Sequence, residues 1–403
     1  MGKFLVIVLD GFGVGYMKDV TKVRPKDFGA NTCVHILENE PDLKLPNLES
    51  LGLMNIVNKE LNGMTFADKA TFGKAELTHF GADTFFGHQE IMGTKPKAPF
   101  EEPIKNSIED IYKAIREEGY NVRYVQGKEA KFLVVNEALT VADNIEADLG
   151  QAFNVTSALD KIDFKEVLKV GKIVRTIAKV PRVITFGGQG ITLENILDAV
   201  EEKDGGFIGI NAPKSGVYNK GYQCIHLGYG VDPSVQIPIL LRHKDIPVTL
   251  IGKVADVVNN EKGKSISMVD TAGVLKETIK ELTSMDHGFI CTNVQETDLA
   301  GHRQNHKVYG EKLAIADQYI GQIKKLIKDD DIMIVMADHG NDPTIGHPRH
   351  TREMVPLMIY GQKINKGDIG VRSTLSDVGA TVADYFNMES PENGESFLNL
   401  LTK

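Results

Sequence analysis

A short apolar run near the N-terminus decides the fold, because residues 4–13 read FLVIVLDGFG. An apolar run rich in β-branched residues predicts a strand that is buried on both faces, as in a parallel sheet. Residues 332–337 read IMIVMA and indicate a second strand of this kind. Weaker runs of the same character lie at residues 248–251 and 289–291. We therefore expect the sheet of the core to be mostly parallel.

Helical periodicity separates these apolar runs. One apolar stripe repeats at three- and four-residue steps and predicts an amphipathic helix. Its members are Leu313, Ala316, Ile320, Ile323 and Ile327. Strands that alternate with helices predict an α/β fold, with a doubly wound and mostly parallel sheet as its core.

The length of the chain predicts more than one domain. It has 403 residues, whereas a single hydrophobic core stops growing at about 250–300 residues. Hydrophobic residues make up 42% and charged residues 25%, a composition that excludes disordered and collagen-like classes. No apolar run approaches the roughly 18 residues of a membrane span. The first run leads into Asp10 without a small-residue cleavage site, so we expect neither a membrane segment nor a signal peptide.

The net charge and the cysteines limit the partners. The formal charge of −9 gives no bulk attraction to nucleic acid. The three cysteines, Cys33, Cys224 and Cys291, lie too far apart for a disulfide framework or a Cys-rich zinc site. We therefore expect a cytoplasmic protein, and the sequence leaves its oligomeric state open.

Polar residues follow the two strongest strands. Asp10 comes directly after the first, and Asp338 and His339 come directly after the second. In doubly wound sheets, ligands bind beyond the carboxyl ends of the strands. A carboxylate after one strand is often only a helix cap, but an Asp-His pair after a wholly apolar run favours a site.

Further candidate ligands follow the run at residues 289–291. Asp298 and His302 are four residues apart, which places both side chains on one face of a helical turn. A carboxylate with an imidazole suits a divalent metal, although a capping Asp and a surface His would give the same pattern. His347 and His350 follow in a loop that could fold back toward the strand ends.

These residues together predict a site for two metal ions. Two metals about 3.5–4 Å apart form a clamp for in-line phosphoryl transfer. A mixed Asp and His set suits Mn²⁺ or Zn²⁺ better than Ca²⁺. The candidates are the three aspartates Asp10, Asp298 and Asp338, with three histidines from among His302, His339, His347 and His350.

A metal clamp needs a nucleophile, and residues 81–93 offer one in the sequence GADTFFGHQEIMG. Thr84 precedes a predicted helix, where free backbone N–H groups favour a phosphoryl group. Metal coordination would make its hydroxyl nucleophilic. The alternative is that Thr84 is a plain helix cap.

A set of motifs now resembles a known family. Their sequences are VLDGFGVG (8–15), GANT (29–32), LPNLESLGL (45–53), DTFFGHQEIMG (83–93), IGKVADV (251–257), ADHGNDPT (337–344), HTREMVPL (350–357) and SDVGATVADYF (376–386). In this order they resemble the phosphopentomutases, within the alkaline phosphatase and cofactor-independent phosphoglycerate mutase superfamily. The resemblance covers about two-thirds of the chain.

The resemblance implies a role for each candidate. It places Asp10, Asp338 and His339 on one metal, and Asp298, His302 and His350 on the other, with Thr84 between them as the phosphoryl carrier. The metals would be two divalent ions, Mn²⁺ first, with Zn²⁺ or Mg²⁺ as alternatives. The substrate would be a phosphorylated sugar such as ribose 1-phosphate or ribose 5-phosphate. His347 falls outside the family pattern, and Arg352 would support the site from behind the ligands.

The same resemblance implies the domain arrangement. Both ends of the chain must reach one site, so residues 1–102 and 222–403 form an alkaline phosphatase-like core. Residues 103–221 form an inserted α+β cap, which would exclude water while a sugar reorients. Within it, Asp143 is expected to contact the sugar hydroxyls.

Several positions depart from the family pattern. Asp298 and His302 are four residues apart rather than five, Ala82 replaces a lysine, and Gln89 replaces a tryptophan. Phe186 takes the place of a phosphate-binding arginine. These departures keep two other hypotheses open: a metal-dependent phosphatase or hydrolase of another small phosphorylated molecule, and a non-catalytic metal- or phosphate-binding regulator.

Overall fold

The structure is a computed structural model that describes residues 2–146 and 149–402. The chain divides into two compact units. The core unit comprises Met1–Pro96 and Asp232–Lys403, and the inserted unit comprises Lys97–Val231. The sequence predicts junctions at 102/103 and 221/222.

The described residues form sixteen strands. They are β1 (Lys3–Leu9), β2 (Thr71–Ala75), β3 (Val122–Gln126), β4 (Lys131–Val135), β5 (Leu139–Asp143), β6 (Ala152–Ala158), β7 (Arg182–Gly188), β8 (Val200–Lys203), β9 (Phe207–Ile210), β10 (Gln223–Gly228), β11 (Val248–Ile251), β12 (Lys264–Ile266), β13 (Gly288–Val294), β14 (Ile332–Met336), β15 (Val355–Tyr360) and β16 (Gly367–Arg372).

The same part of the chain forms sixteen α-helices. They are α1 (Val20–Val23), α2 (Thr32–Asn39), α3 (Pro46–Ser50), α4 (Leu53–Val57), α5 (Thr84–Ile91), α6 (Ile108–Glu117), α7 (Phe164–Ile177), α8 (Leu193–Leu197), α9 (Ala212–Ser215), α10 (Ile237–Arg242), α11 (Lys253–Val257), α12 (Thr271–Ser284), α13 (Glu296–His302), α14 (His306–Leu326), α15 (Ser376–Tyr385) and α16 (Leu398–Leu401). None of these helices is both long enough and apolar enough to span a membrane.

The core unit contains one eight-stranded sheet in the order β12-β11-β13-β1-β14-β15-β2-β16. The pairings from β12 through β14 are parallel, and so is that of β2 with β16. Within the described part of this sheet, only β15 runs antiparallel to its neighbours. Every residue of β1 is buried, as its apolar sequence predicts for a central parallel strand. The predicted α/β class with a mostly parallel sheet is confirmed.

The predicted amphipathic helix is the long helix α14. Its predicted stripe is buried against the core unit's hydrophobic centre. The helix ends one residue earlier than the stripe, because Ile327 already has extended backbone angles and forms its C-cap. The last turn of this helix carries Lys324 and Lys325, whose positive charges interact favourably with the negative end of the helix dipole.

The inserted unit is built around its own sheet, in the order β10-β7-β6-β5-β4-β3. Most of its pairings are antiparallel, with β6 and β7 as a parallel exception. The helices α6 and α7 contribute buried isoleucines and valines to a separate hydrophobic cluster. This α+β character agrees with the prediction from its sequence.

A buried carboxylate fixes the position of helix α5 in the core unit. Glu90 is fully buried and accepts hydrogen bonds from the backbone and hydroxyl of Thr78, from the backbone and ring of His79, and from Thr374 and Leu375. Burial by itself would raise the pKa of Glu90, but the hydrogen bonds from His79, Thr374 and Thr78 lower it to about 2. Glu90 is therefore ionised in the folded protein at neutral pH.

We predict that Glu90→Gln lowers the free energy of unfolding by about 1–3 kcal/mol, because a buried charge-assisted network loses its acceptor. The depressed pKa makes this stabilisation present above the ordinary glutamate pKa of 4.5 and lost as pH falls toward about 2. Urea unfolding at pH 7 and at pH 3 measures both effects. Glu311→Gln, at an exposed position of α14, is the matched control. Equal stability of the two variants at pH 7 would contradict this role for Glu90.

Candidate metal centre

Three neighbouring parallel strands bring the predicted carboxylates to one edge of the sheet. Asp10 directly follows β1, Asp338 lies two residues beyond β14, and Asp298 lies in α13, which begins two residues beyond β13. Since β1 pairs with both β13 and β14 in parallel, the carboxyl ends of all three strands meet. Asp10, Asp298 and Asp338, which lie far apart in the chain, are therefore adjacent in the fold.

His350 and Thr84 reach the same edge from β15 and β2, the strands that follow β14 in the sheet order. His350 lies before β15, which runs antiparallel to β14, so the start of β15 meets the end of β14. An isolated bridge pairs Gly340 with Thr351 and folds the intervening loop back. Thr84 begins α5, after β2, which is antiparallel to β15 and therefore ends at this edge as well.

The first compact group of ligand atoms comes from Asp10, Asp338 and His339, within 4.8 Å of one another. All three side chains are fully buried. His339 Nε2 lies 3.4 Å from Asp10 Oδ1 and 3.3 Å from Asp338 Oδ2. This is the set that the family resemblance implies for one metal.

The second compact group comes from Asp298, His339 and His350. His302 lies beside it, with its Nε2 at 3.4 Å from Asp298 Oδ2 and 3.0 Å from His350 Nε2. The geometry thus brings together all six predicted ligands and makes His339 common to both groups. The ring of His339 stacks on that of His350, with centroids 4.0 Å apart.

Backbone carbonyls orient the three imidazoles. The Nδ1 atoms of His302, His339 and His350 donate to the carbonyl oxygens of Pro348, Gly340 and Ala82, at 2.7, 2.9 and 2.8 Å. A carbonyl oxygen only accepts, so each Nδ1 carries a proton, and loss of the proton on Nε2 leaves a lone pair there for a metal ion. This is how proteins commonly orient metal-binding histidines.

The unpaired atoms of this cluster fit a cation. Asp10 Oδ1 and His339 Nε2 are buried, and neither has a hydrogen-bond partner. The Nε2 atoms of His302 and His350 face each other at 3.0 Å. Acceptors that converge without a donor need a proton or a metal between them, and oxygen with imidazole nitrogen is a donor set for Mn²⁺ or Zn²⁺.

A lysine that the sequence analysis did not single out completes the charge pattern. Lys253 Nζ lies 3.0 Å from Asp10 Oδ2 and 3.3 Å from Asp298 Oδ2. It stands at the start of α11, two residues after β11, which is the next parallel strand beside β13. Its position after a strand in the motif IGKVADV was the available signal.

The electrostatics of the cluster favour cations. Burial by itself would raise the pKa of Asp298 and Asp338, but neighbouring Lys253 and imidazoles hold both well below the usual range. For His339, burial lowers the pKa, but the carboxylates of Asp338 and Asp10 raise it to about 10. The negative charge that attracts a proton to this imidazole also attracts a metal ion.

Thr84 lies against this cluster. Asp83 caps α5 by accepting from the backbone N–H of Phe86 at 3.1 Å, so the helix cap does not need the threonine hydroxyl. Thr84 Oγ1 instead donates to Asp338 Oδ2 at 2.7 Å. His88 Nδ1 donates to the Thr84 carbonyl at 2.8 Å and holds the first turn of the helix.

Arg352 and His347 lie behind the ligands. Arg352 is buried and donates to the carboxylate of Asp19 and to the carbonyl oxygens of Leu77, His79 and Gly81. It therefore fixes the segment that leads to Thr84. His347 Nε2 lies 3.2 Å from Asp27 Oδ1, away from the two ligand groups.

Asp143 and Phe186, which the sequence also singles out, lie in the inserted unit. The two carboxylate oxygens of Asp143 accept from the backbone N–H groups of Ile104 and Ile208, at 2.7 and 2.9 Å. Burial raises the pKa of Asp143 to about 7. Its predicted contact with sugar stays a prediction. Phe186 is buried, and its ring stacks on that of Tyr218 at 6.2 Å.

Comparison with known proteins gives the family. A sequence profile described as the Metalloenzyme superfamily matches residues 2–390. The Phosphopentomutase of Alkaliphilus oremlandii (strain OhILAs) is 30% identical over 410 residues, covering 100% of both chains. That of Clostridioides difficile (strain 630) is 29% identical and covers 98% of this chain and 99% of its own. A Leishmania mexicana phosphoglycerate mutase structure is 13% identical with a TM-score of 0.47, covering 98% of this chain and 97% of that one.

The profile match over residues 2–390, together with the fold and the Asp/His centre, defines a member of the Metalloenzyme superfamily. Within that superfamily, the chain belongs to the phosphopentomutase family. The resemblance drawn from the sequence motifs is thereby confirmed.

We predict that Gly87→Ala disturbs this centre. A Cβ atom at Gly87 would lie 2.7 Å from the carbonyl oxygen of Asp338, so α5 must move away from the end of β14. We expect a stability loss of about 1–3 kcal/mol and Mn²⁺ binding weakened by about tenfold or more. Calorimetric Mn²⁺ titration and urea unfolding measure these effects.

The matched control for this helix position is Gly273→Ala in α12. There the new Cβ would meet only the ends of two flexible side chains, Asp270 Oδ2 at 3.1 Å and Met268 Cε at 3.2 Å. Gly273→Ala is expected to retain wild-type Mn²⁺ affinity. Unchanged Mn²⁺ affinity in Gly87→Ala would show that the approach of α5 to Asp338 is not needed for the centre.

A second prediction concerns metal stoichiometry. After loading with Mn²⁺ and desalting, native mass spectrometry is expected to find two ions per chain in the wild-type protein. Asp338→Asn is expected to retain at most one, because a ligand oxygen of the first group is lost. Asp286→Asn, at an exposed position, controls for the loss of one charge. Full occupancy in Asp338→Asn would remove this residue from the metal centre.

Proposed function

We propose that the chain is an intramolecular phosphotransferase, a phosphomutase that moves a phosphoryl group between two positions of a phosphorylated pentose through a phosphothreonine. One observation carries the proposal: the Thr84 hydroxyl donates at 2.7 Å to Asp338, a member of a buried Asp/His group. The full-length similarity to proteins named Phosphopentomutase supports the substrate class, ribose 1-phosphate and ribose 5-phosphate.

We propose that two divalent cations serve this centre, Mn²⁺ by preference over Zn²⁺ or Mg²⁺. Asp10, Asp338 and His339 would hold one ion, and Asp298, His302 and His350 the other. When bound, such ions neutralise phosphoryl charge and make a nearby hydroxyl easier to deprotonate. Metal analysis of protein purified without added metal distinguishes the three ions.

The residues of the chain account for the two transfers. In the resting enzyme Thr84 would carry the phosphoryl group, with α5 aiming its N–H groups at it. The free hydroxyl of the sugar monophosphate attacks this phosphorus, the bond from phosphorus to Thr84 Oγ1 breaks, and the hydroxyl proton passes to that oxygen. The product is a sugar bisphosphate. Transfer of its other phosphoryl group back to Thr84 completes the isomerisation.

Asp338 would orient the Thr84 hydroxyl between the two transfers by accepting its hydrogen bond. Its Oδ2 accepts the Thr84 hydroxyl at 2.7 Å, and its low pKa keeps it ionised at neutral pH. Arg352 would position the nucleophile rather than touch the substrate, because its guanidinium donates to backbone carbonyls of the segment before Thr84.

We further infer a cytoplasmic location. The support is the state of two cysteines: Cys33 and Cys291 are buried free thiols in the described structure. Reduced cysteines are typical of a reducing compartment.

We predict that Thr84→Ala abolishes interconversion of ribose 1-phosphate and ribose 5-phosphate while Mn²⁺ binding survives, because the variant loses the phosphoryl carrier and no metal ligand. Turnover followed by ³¹P NMR measures the reaction, and metal content measures the centre. Thr283→Ala, exposed on α12, is the matched control and is expected to turn over like the wild type.

The same ³¹P spectra separate the alternatives. Isomerised product without free phosphate supports the mutase. Release of inorganic phosphate in place of isomerisation would identify a hydrolase, and isomerisation by Thr84→Ala would refute the phosphothreonine route. Absence of both reactions and of bound metal would favour a regulator.

A further inference from the structure

A basic pocket lies in the core unit, outside the two ligand groups. Its volume is about 430 Å³, and its lining residues are Arg24, Pro25, Lys26, Asp27, His347 and Arg349. We call it the basic pocket. Its two arginines, one lysine and one aspartate give a formal net charge of +2, whereas the whole chain carries −9. The volume is that of a small-molecule site.

Asp27, the carboxylate that lines the pocket, already pairs with neighbouring residues. Asp27 is buried, and its Oδ2 accepts from Arg24 Nε at 2.6 Å and from the backbone N–H of Arg352 at 2.9 Å. Its Oδ1 lies 3.2 Å from His347 Nε2. The negative charge of Asp27 therefore orients the wall and does not repel an anion in the pocket.

Two hydrogen bonds hold the Arg24 guanidinium in a fixed orientation and leave further N–H donors available. Its Nε is bound by Asp27, and its Nη2 donates to the carbonyl oxygen of His350 at 2.8 Å. Among the described residues, Nη1 makes no hydrogen bond. A guanidinium that is pre-oriented on a buried carboxylate loses little entropy when it binds a planar or tetrahedral oxyanion.

The wall of the pocket contacts the metal centre. Arg24 binds the backbone of His350, and Arg349 directly precedes that ligand. A Cβ atom at Gly81 would lie 4.0 Å from Arg24 Nη1, and Gly81 precedes Thr84 by three residues, at most about 11 Å of chain. The wall of the pocket thus adjoins a proposed metal ligand and the segment that leads to Thr84.

We propose that the basic pocket is the subsite for the second, non-reacting phosphoryl group of the substrate and of the bisphosphate. This inference rests on the proposed function, because a phosphomutase must hold two phosphoryl groups at once while only one can lie at Thr84. Arginine binds phosphate oxygens in a bidentate manner, and lysine adds a point charge.

Lys26 is the residue on which to test this subsite. It is exposed and makes no hydrogen bond to the described residues, so its replacement leaves the wall intact. Arg24 and Arg349 are less suitable, because both adjoin the metal ligand His350. The matched control is Lys22, which is also exposed, lies four residues earlier in α1, and does not line the pocket.

The experiment compares wild type, Lys26→Glu, Lys26→Arg and Lys22→Glu in the Mn²⁺-loaded enzyme. For Lys26→Glu we expect the KM for ribose 1-phosphate to rise about tenfold or more, because a charge-assisted contact is replaced by repulsion. We expect kcat to change less than about threefold, because Thr84 and the ligands are untouched. Lys26→Arg is expected to restore the KM, and Lys22→Glu to match the wild type.

A binding measurement separates this inference from the proposed function. Ribose 5-phosphate and uncharged ribose are titrated calorimetrically into Mn²⁺-loaded Thr84→Ala, with and without Lys26→Glu. Weakening of ribose 5-phosphate binding alone supports the subsite even if the wild type has no mutase turnover, which would refute only the proposed function. Equal ribose 5-phosphate affinity with and without Lys26→Glu overturns the subsite, whatever the turnover.

Discussion

Three carboxylates buried at one edge of a parallel sheet are the constraint on which the rest of this structure depends. Asp10, Asp298 and Asp338 are each at most 2% exposed, and the ammonium that contacts two of them in the described structure is that of Lys253. Burial of unpaired charge is costly, so such a cluster is stable only with cations. The strand order that assembles the cluster and the carbonyls that orient the imidazoles serve this one requirement.

The same constraint links the fold to the chemistry. Asp338 belongs to a compact group of possible ligands and also accepts the hydroxyl of Thr84, so the proposed nucleophile is fixed relative to the negative cluster. Helix α5 carries Thr84 at its first position and Glu90 near its end, where a buried hydrogen-bond network anchors it. A helix held at both ends keeps the Thr84 hydroxyl in place beside Asp338.

The sequence was sufficient for much of this picture, and particular residues show why. The apolar runs at β1 and β14 are followed directly by Asp10 and Asp338, so these continuous runs located both the strands and the candidate ligands after them. Lys253 was missed because a lysine after a strand is usually solvated, and only the pairing of β11 with β13 turns it inward. Asn293 lies inside an apolar strand, so nothing in the sequence indicates its hydrogen bond to Asp10.

The most direct test of the central claim is anomalous diffraction from crystals grown with Mn²⁺, recorded at the manganese edge. The account predicts two peaks at the edge of the sheet, bonded to the carboxylates of Asp10, Asp298 and Asp338 and to imidazole nitrogens, with the Thr84 hydroxyl adjacent to both. Peaks at other surfaces, or ordered density for this cluster with no metal at saturating Mn²⁺, would contradict it.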